Sequence, residues 1–472
     1  MFERKRGSSG GWIRGRGRGR GRGGGNPAWR SRATASVSEP PAPAVGSLLA
    51  TITNGDLEHA FHKEAPKITN CKLVGSYNWL NQKSPTILVP GSPPAWTPTP
   101  QAIKPPPDSG LYYRDQNAAR YATHVFQPAL EAILKQDAEF DFGEIDLVTC
   151  GSTLGNLRRF VAHAEKEFRL VVEAVGSAVF LVRRENSPTS IIPDVYGYGH
   201  TFPEANTTWG SDVRGSESHQ RIIQYGFAGL SCLVRYEGDG YLPNLHHQSV
   251  SHGQAAADAP NDLLASLEKT MVSAVASDEK AGLTIQTAGE MVPQSAIFDL
   301  KTRTWKKQYQ DVLKDELPRL WISQVTNFVI GFHNQGVFND VRVEDVRNDV
   351  RQWEEEQEPT LQKLAALLKM LVAFAHSQKD GRFEVMYKGD ALELREVGGE
   401  FNCCIPDSMK RRWMEGGLAG GQGSDKGDNY EWTAEDEERE ADFWSGASDS
   451  DSEKDFTACS ASSCGYCGHC GY

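Results

Sequence analysis

No run of apolar residues in this 472-residue chain approaches the roughly 20 needed to cross a bilayer as a helix. The first residues contain no apolar stretch of the kind a secretory signal needs; they are rich in arginine and glycine instead. These absences predict an intracellular protein, nuclear or cytoplasmic, with no membrane partner. Cysteine is sparse through the body of the chain. Cys71, Cys150 and Cys232 stand far apart, and in a reducing compartment they are expected to be buried thiols rather than disulfide partners. The glycine-rich stretch 416–423 has no following Lys-Ser/Thr, which excludes a phosphate-binding P-loop. No internal repeat is visible.

Positive charge is lacking too, except at one end. The chain holds 50 Lys and Arg against 62 Asp and Glu, for a net charge of −12. Residues 1–32 carry ten Lys/Arg and one Glu; residues 425–455 carry thirteen Asp/Glu and three Lys/Arg. The arm is therefore near +9, the acidic stretch near −10, and the middle about −11. Such a middle is no general platform for nucleic acid. Affinity for RNA would have to come from a local groove, from metal ions, or from the basic arm.

The arm, residues 1–65, shows no sustained periodicity and is predicted to be disordered. Within it Arg14, Arg16, Arg18, Arg20 and Arg22 alternate with glycine. Guanidinium groups on a flexible backbone contact phosphates and stack on bases, so these five are candidate RNA contacts, flanked by Trp12 and Trp29. Ordered structure is expected from near Cys71, giving an α/β domain over 70–400. Residues 84–107 are proline-punctuated and extended, with Trp79 and Trp96 as anchors.

Helical patterns fall at 126–137, 261–277, 309–324 and 359–377, the last a leucine-rich core helix. Strand patterns fall at 168–174 and 178–183 around Gly176-Ser177, at 220–237 around Ala228-Gly229, at 295–303, at 327–332, and as a hairpin at 382–396. Interleaved helices and strands define a mixed α/β (α+β) class. Residues 411–456, Gly-rich and then acidic, are expected to be a disordered linker. Residues 457–472 close the chain with Cys459, Cys464, Cys467, His469 and Cys470. These are candidate zinc ligands with Cys403-Cys404 as possible contributors, or else a reactive-thiol or docking tail.

Two strand-like runs carry charge where charge is expensive. Residues two apart on a strand share a face, so Ile297, Asp299 and Lys301 face one way and Phe298 and Leu300 the other. Glu237 and Asp239 have the same spacing. Carboxylates and a lysine on converging strands suit Mg²⁺ or Mn²⁺, which neutralises a phosphodiester and activates water. The bland alternative is a solvent-facing strand edge of alternating charge. The Glu354-Glu-Glu356 run is expected near a helix start, where it favours the dipole. His219 is expected to be structural or a substrate contact, and His246, His247 and His252 exposed loop residues.

Four blocks resemble, in order, the DXO-type decapping exonucleases of PD-(D/E)xK type. They are Val195-Tyr-Gly-Tyr-Gly-His-Thr-Phe-Pro-Glu204; Gly215 through Asp239, ending Glu-Gly-Asp; Asp299-Leu-Lys-Thr302; and Leu320-Trp-Ile-Ser-Gln324 leading into Asn327-Phe-Val-Ile-Gly-Phe332. The resemblance implies a DXO-like nuclease core and metal-dependent processing of RNA 5′ ends: decapping or pyrophosphohydrolysis, with exonuclease action following in some members. It makes Glu204, Glu237, Asp239 and Asp299 metal ligands, and Lys301 and Gln324 the residues that position water and phosphate. The alternative is a catalytically weak RNA-binding or adaptor protein that keeps the fold and recruits a protein partner through its acidic or Cys-rich tail. Two departures stand out. Asp299 replaces a glutamate, and Pro203 sits where the first glutamate would align, displacing Glu204 by one position.

Ser76-Tyr-Asn-Trp79, Pro90-Gly-Ser-Pro-Pro94 and the Cys-rich ending also resemble a group of fungal proteins that often carry the name geranylgeranyl diphosphate synthase. Prenyl synthases need two Asp-rich helical motifs to hold Mg²⁺-diphosphate. This chain contains no Asp-Asp pair, and the name is not supported.

The opposite charges of the two ends generate a first prediction. Deleting residues 425–455 should tighten RNA binding at low salt, where unscreened attraction between the ends is strongest. RNA affinity unchanged by the deletion at low salt would exclude masking of the arm.

Overall fold

The computed structural model describes residues 40–58, 64–164, 166–193, 195, 197–246 and 282–419, all within one compact unit, Glu39–Tyr472. The Arg14–Arg22 run, the helix expected over 261–277, His247, His252 and the C-terminal Cys/His cluster lie outside the described residues.

In chain order the strands are β1 (Leu48–Ile52), β2 (Ile68–Leu80), β3 (Thr86–Pro90), β4 (Ala95–Trp96), β5 (Leu147–Cys150), β6 (Phe168–Val175), β7 (Ala178–Arg183), β8 (Thr207–Thr208) and β9 (Ser216–Phe227). Then come β10 (Leu230–Glu237), β11 (Gly240–Tyr241), β12 (Thr284–Ala288), β13 (Ile297–Thr304), β14 (Asn327–Asn334), β15 (Val337–Asp345), β16 (Arg382–Tyr387) and β17 (Leu392–Arg395). The helices are α1 (Asn54–Glu58), α2 (Gln116–Arg120), α3 (Gln127–Gln136), α4 (Gly151–Val161), α5 (Thr201–Asn206), α6 (Val312–Ser323), α7 (Arg347–Glu356), α8 (Glu358–Ser377) and α9 (Asp407–Ala419). Eleven strands form one mixed sheet, ordered β1-β17-β16-β6-β7-β5-β10-β9-β2-β3-β12; six form a second, ordered β15-β14-β13-β11-β4-β8.

Period-two alternation builds the layers. On β7, Val179 and Leu181 enter the core that also holds Leu361, Leu364, Leu368 and Leu371 of α8. Ala178, Phe180 and Val182 enter a separate core on the other face, with Trp79, Phe126, Ile133 and Trp413. On β13, Ile297 joins the first core, while Phe298 and Leu300 join a small third core with Phe202, Val329 and Phe338. β13 and β14 run parallel, with Asp299 opposite Phe328 and Lys301 opposite Ile330. Parallel neighbours need a crossover, and α6 supplies it. β9 and β10 form a hairpin whose turn residues, Ala228 and Gly229, both have positive φ (50° and 84°), the geometry that favours glycine.

The ordered structure extends past both ends expected from the sequence. β1 pairs antiparallel with β17 inside the arm expected to be disordered. Its pattern is silent because only Ile52 is buried; backbone pairing, not a buried face, holds it. At the other end α9 docks through Trp413, stacked 4.5 Å from Phe142 and edge-on 5.2 Å from Phe180. The Glu354–Glu356 run lies in the last turn of α7 and directly precedes α8, which starts at Glu358. Glu354 Oε1 accepts from Ile68 N (2.9 Å) and Trp321 Nε1 (2.8 Å), so this residue also meets a tertiary demand for an acceptor. His246 is buried rather than exposed, with Nε2 3.1 Å from Glu290 Oε1. The five described cysteines form no disulfide, and Cys404 is fully buried. Among the described residues no helix is long and apolar enough to cross a membrane.

Glu173 on β6 ties α9 to the large sheet. It accepts from Cys404 N, Lys410 Nζ and Arg382 Nη2, each at 2.8 Å. Burial raises the energy of its charge, but these donors outweigh burial and hold its pKa at about 2. A carboxyl depressed in the folded state contributes stability above its unfolded pKa and loses it as pH falls through about 2. Glu173→Gln should therefore cost about 3 kcal/mol at neutral pH, with the gap to the unsubstituted protein closing on acidification. Chemical denaturation at several pH values checks this.

Candidate functional site

β10 ends at Glu237, and Gly238 N donates to His219 O at 2.9 Å. The next residue, Asp239, stands in the link to β11, so Glu237 and Asp239 are not on one continuous strand. Gly240 sets the position of β11. A Cβ there would lie 2.4 Å from Phe298 Cζ and 2.8 Å from Pro94 O, so only glycine lets β11 sit against β13. That closeness brings Asp239 Oδ2 to the Leu300 N–H, from which it accepts at 2.7 Å.

Glu237 and Asp239 open into a cleft of about 480 Å³, whose walls also carry Glu204, Glu217, Tyr112, His200, Trp209 and His219. Four carboxylates line it, and no lysine or arginine does among the described residues. One wall is organised by Asp108, which receives His200 N (3.1 Å), Thr201 N (2.9 Å) and Thr201 Oγ1 (3.1 Å) at the start of α5. The Tyr112 ring stacks on His200, centroids 3.6 Å apart and planes 10° apart.

Burial lowers the His200 pKa, opposed by Asp108 and Asp239 and aided by Lys301. Burial, with Asp108, raises that of Glu204. Burial, with Asp108 and Glu204, pushes the Tyr112 phenol up to about 12. His219 is held neutral, well below its usual value, by burial and the neighbouring Arg221. Its Nδ1 donates to Asn78 Oδ1 at 2.6 Å and its Nε2 accepts from Arg221 Nη1 at 3.4 Å.

Of the other expected site residues, Asp299, Lys301 and Gln324 do not line this cleft, although Asp299 lines with Glu237 a smaller pocket that adjoins it, and Glu204 is on the cleft wall. Asp299 is buried and forms an ion pair with Arg319 Nη2 of α6. Lys301 is buried with its Nζ 3.8 Å from Glu316 Oε2. Glu316 also receives Arg303 at 3.0 Å and lies 3.7 Å from Arg319 Nε. Gln324 ends α6 in the left-handed conformation, and its Nε2 folds back to donate to Trp321 O at 2.6 Å. Glu204 is on α5, an exposed position on a helix rather than a strand.

Among the described residues no group of three or more His, Cys, Asp or Glu side chains is disposed to hold a metal ion. Glu237 and Asp239 both line the cleft. Both are hard oxygen donors in a carboxylate-lined cleft, and Mg²⁺ takes one or two protein carboxylates together with waters and substrate phosphate oxygens. Sequence patterns gave no role to Asp108, Tyr112, Trp209 or Glu217. The available signal was the Tyr112-Tyr113-Arg114 cluster, aromatic residues outside any apolar periodicity.

A family described as a domain of unknown function (DUF8563) matches residues 63–412, and the chain belongs to that family. No curated protein sequence matches it. Among solved structures, it is similar to Scheffersomyces stipitis Rai1 in complex with 3′-NADP⁺ and calcium ion. That likeness has 13% identity over 79% of this chain and 100% of that one, with a TM-score of 0.50. Candida albicans Rai1 in complex with pU5-Mn²⁺ matches at 10% identity over 76% and 100%, TM-score 0.43. K. lactis Dxo1 in complex with manganese matches at 9% identity over 74% and 98%, TM-score 0.43. The S. stipitis likeness shows a shared mixed α/β fold.

The Asp299–Arg319 pair is open to a direct test. Arg319→Ala leaves Asp299 buried without its ion-pair partner and should destabilise the protein by about 3–5 kcal/mol. Adding Asp299→Asn should recover a large part of that loss in a double-mutant cycle read by denaturant unfolding.

Proposed function

We propose that this chain processes RNA 5′ ends in a metal-dependent reaction, by decapping or pyrophosphohydrolysis with exonuclease action to follow. The observation that carries the reading is the placement of Glu237 and Asp239 in one carboxylate-lined cleft beside Tyr112 and Trp209. The shared fold with S. stipitis Rai1, a protein crystallised with a dinucleotide and a divalent ion, supports it. Glu237 and Asp239 would hold Mg²⁺ or Mn²⁺, with Glu204 also lining the cleft. The ion supplies neutralisation of phosphate charge and activation of water. Tyr112 and Trp209 offer faces for base stacking. Neutral His219, locked between Asn78 and Arg221, presents a fixed edge without adding charge. Lys301 and Gln324 would act on water and phosphate only on leaving Glu316 and the Trp321 carbonyl. Residues Arg14–Arg22 would add phosphate contacts outside the cleft, and the Cys459–Cys470 cluster would bind zinc or a protein partner.

One observation favours a second reading, an RNA-binding adaptor without turnover. Asp299 and Lys301, two of the expected catalytic residues, are committed to Arg319 and Glu316. Hydrolysis of 5′-triphosphate, unmethylated-cap and NAD-capped RNAs with Mn²⁺ separates the two. The enzyme reading expects cleavage that Glu237→Gln and Asp239→Asn reduce to background while RNA still binds. RNA bound by the unsubstituted protein but never cleaved would establish the adaptor.

A further inference from the structure

One end of the acidic cleft is built from consecutive residues of β9. Ser216, Glu217 and Ser218 all line it, together with Asn81 and Trp209. Regular alternation would send Glu217 and Ser218 to opposite sides. The pairing with β2 explains the exception. Trp79 is opposite Ser218 and Leu80 opposite Ser216, which leaves Glu217 as an extra residue on β9. A bulge of this kind re-aims a side chain and recurs beside functional sites.

Arg120, the last residue of α2, holds the resulting group together. Its Nη2 pairs with Glu217 Oε2 and donates to Asn81 Oδ1 at 3.4 Å, while its Nη1 donates to Gln82 O at 3.3 Å. The Asn81 amide is thereby oriented, its oxygen toward Arg120 and its N–H₂ group left to donate elsewhere. Glu217 keeps Oε1 as an acceptor. Ser216 is already satisfied, accepting from Asn78 Nδ2 at 2.9 Å and donating to Val213 O at 2.7 Å. Ser218 is not: it is 3% exposed, and its Oγ has no hydrogen-bond partner. A buried hydroxyl without a partner is costly, and a ligand in the cleft it lines would supply one.

A carboxylate only accepts, and the amide N–H₂ only donates. The ring that fits beside them on Trp209 carries donors toward Glu217 and an acceptor toward Asn81. Of the four RNA bases, guanine alone sets two neighbouring donors, N1–H and N2–H₂, beside an acceptor, O6. Uracil turns oxygens toward a carboxylate, and adenine and cytosine offer one amino group. We propose that Glu217 and Asn81, positioned by Arg120, read the Watson–Crick edge of a guanine stacked on Trp209, with Ser218 as a further hydrogen-bond partner. The inference rests on the cleft reading and adds base selectivity to it. His219, next to Ser218, accepts through its carbonyl from Gly238 N, so this subsite adjoins the Glu237–Asp239 link.

The experiment measures binding of guanosine and adenosine 5′-monophosphates to the full chain in Mg²⁺; neither contains a phosphodiester or anhydride bond to cleave. The guanine nucleotide should bind about tenfold tighter or more. Glu217→Gln and Asn81→Ala should each bring it to the level of the adenine nucleotide and leave the latter unchanged, a selective loss that misfolding would not produce. RNAs with 5′-phosphorylated G or A, and RNAs capped by G or A, compared in Ca²⁺, which takes oxygen ligands as Mg²⁺ does, identify the source of the base. A preference within the first pair assigns the first nucleotide, within the second the cap, and within neither a free nucleotide. Trp209→Ala should weaken both mononucleotides and reports on the cleft reading separately. Equal binding of the two mononucleotides, both weakened by Trp209→Ala, would overturn the guanine subsite and leave the cleft. A guanine preference that survives both Glu217→Gln and Asn81→Ala would overturn the assignment of these residues. No binding of any nucleotide or RNA by the unsubstituted protein would overturn subsite and cleft together.

Discussion

A single carboxylate, Glu316, organises the interior on which the site is built. It is 1% exposed and faces Lys301, Arg303 and Arg319. Alternation forces residues 301 and 303 of β13 to the same side, and β13 is covered on both faces. Three cations inside a protein are untenable without an anion among them. Glu316 reaches them because α6, the crossover between parallel β13 and β14, must pack back onto those strands. Arg319, one turn further along α6, then reaches Asp299. The crossover thus decides the partner of the acidic residue that the strand pattern offers as a candidate metal ligand.

The electrostatics of the molecule are divided over a short distance. The cleft around Glu237 and Asp239 is wholly acidic among its charged lining residues, whereas a small pocket lined by Arg114, Arg183 and Arg184 is mainly cationic. An acidic cleft repels phosphate unless a cation stands between, which is the condition under which divalent metal chemistry operates. Asp108 keeps the cleft wall in place without entering it, because its oxygens are taken up by the start of α5.

Much of the fold was legible along the chain. The β6–β7 and β9–β10 hairpins, the helix α3, the strand β14 and the leucine face of α8 arise directly from period and turn chemistry. β1 and α9 were not legible, since one is held by backbone pairing to β17 and the other by scattered tertiary contacts of Met409, Lys410 and Trp413. In the site, Glu237 and Asp239 were readable as a spaced acidic pair. His200, Tyr112 and Trp209 were not, because nothing local says that residues 112, 200 and 209 meet. Asp299 and Lys301 share a strand face as their spacing requires, yet spacing carries no information about Arg319 and Glu316.

The sequence by itself determined the periodicities, the charge blocks at the two ends, and which acidic and basic residues share a strand face. These depend on backbone geometry over a few residues. Only the tertiary structure decided which charges neutralise one another and which remain facing a cavity. That choice turns on contacts between residues far apart in the chain: Asp299 with Arg319 across a crossover, Asp239 with the β13 backbone beside Gly240, and Arg183 with the Arg114 carbonyl. Burial makes each pairing energetically decisive, and no local pattern encodes which residues burial will bring together.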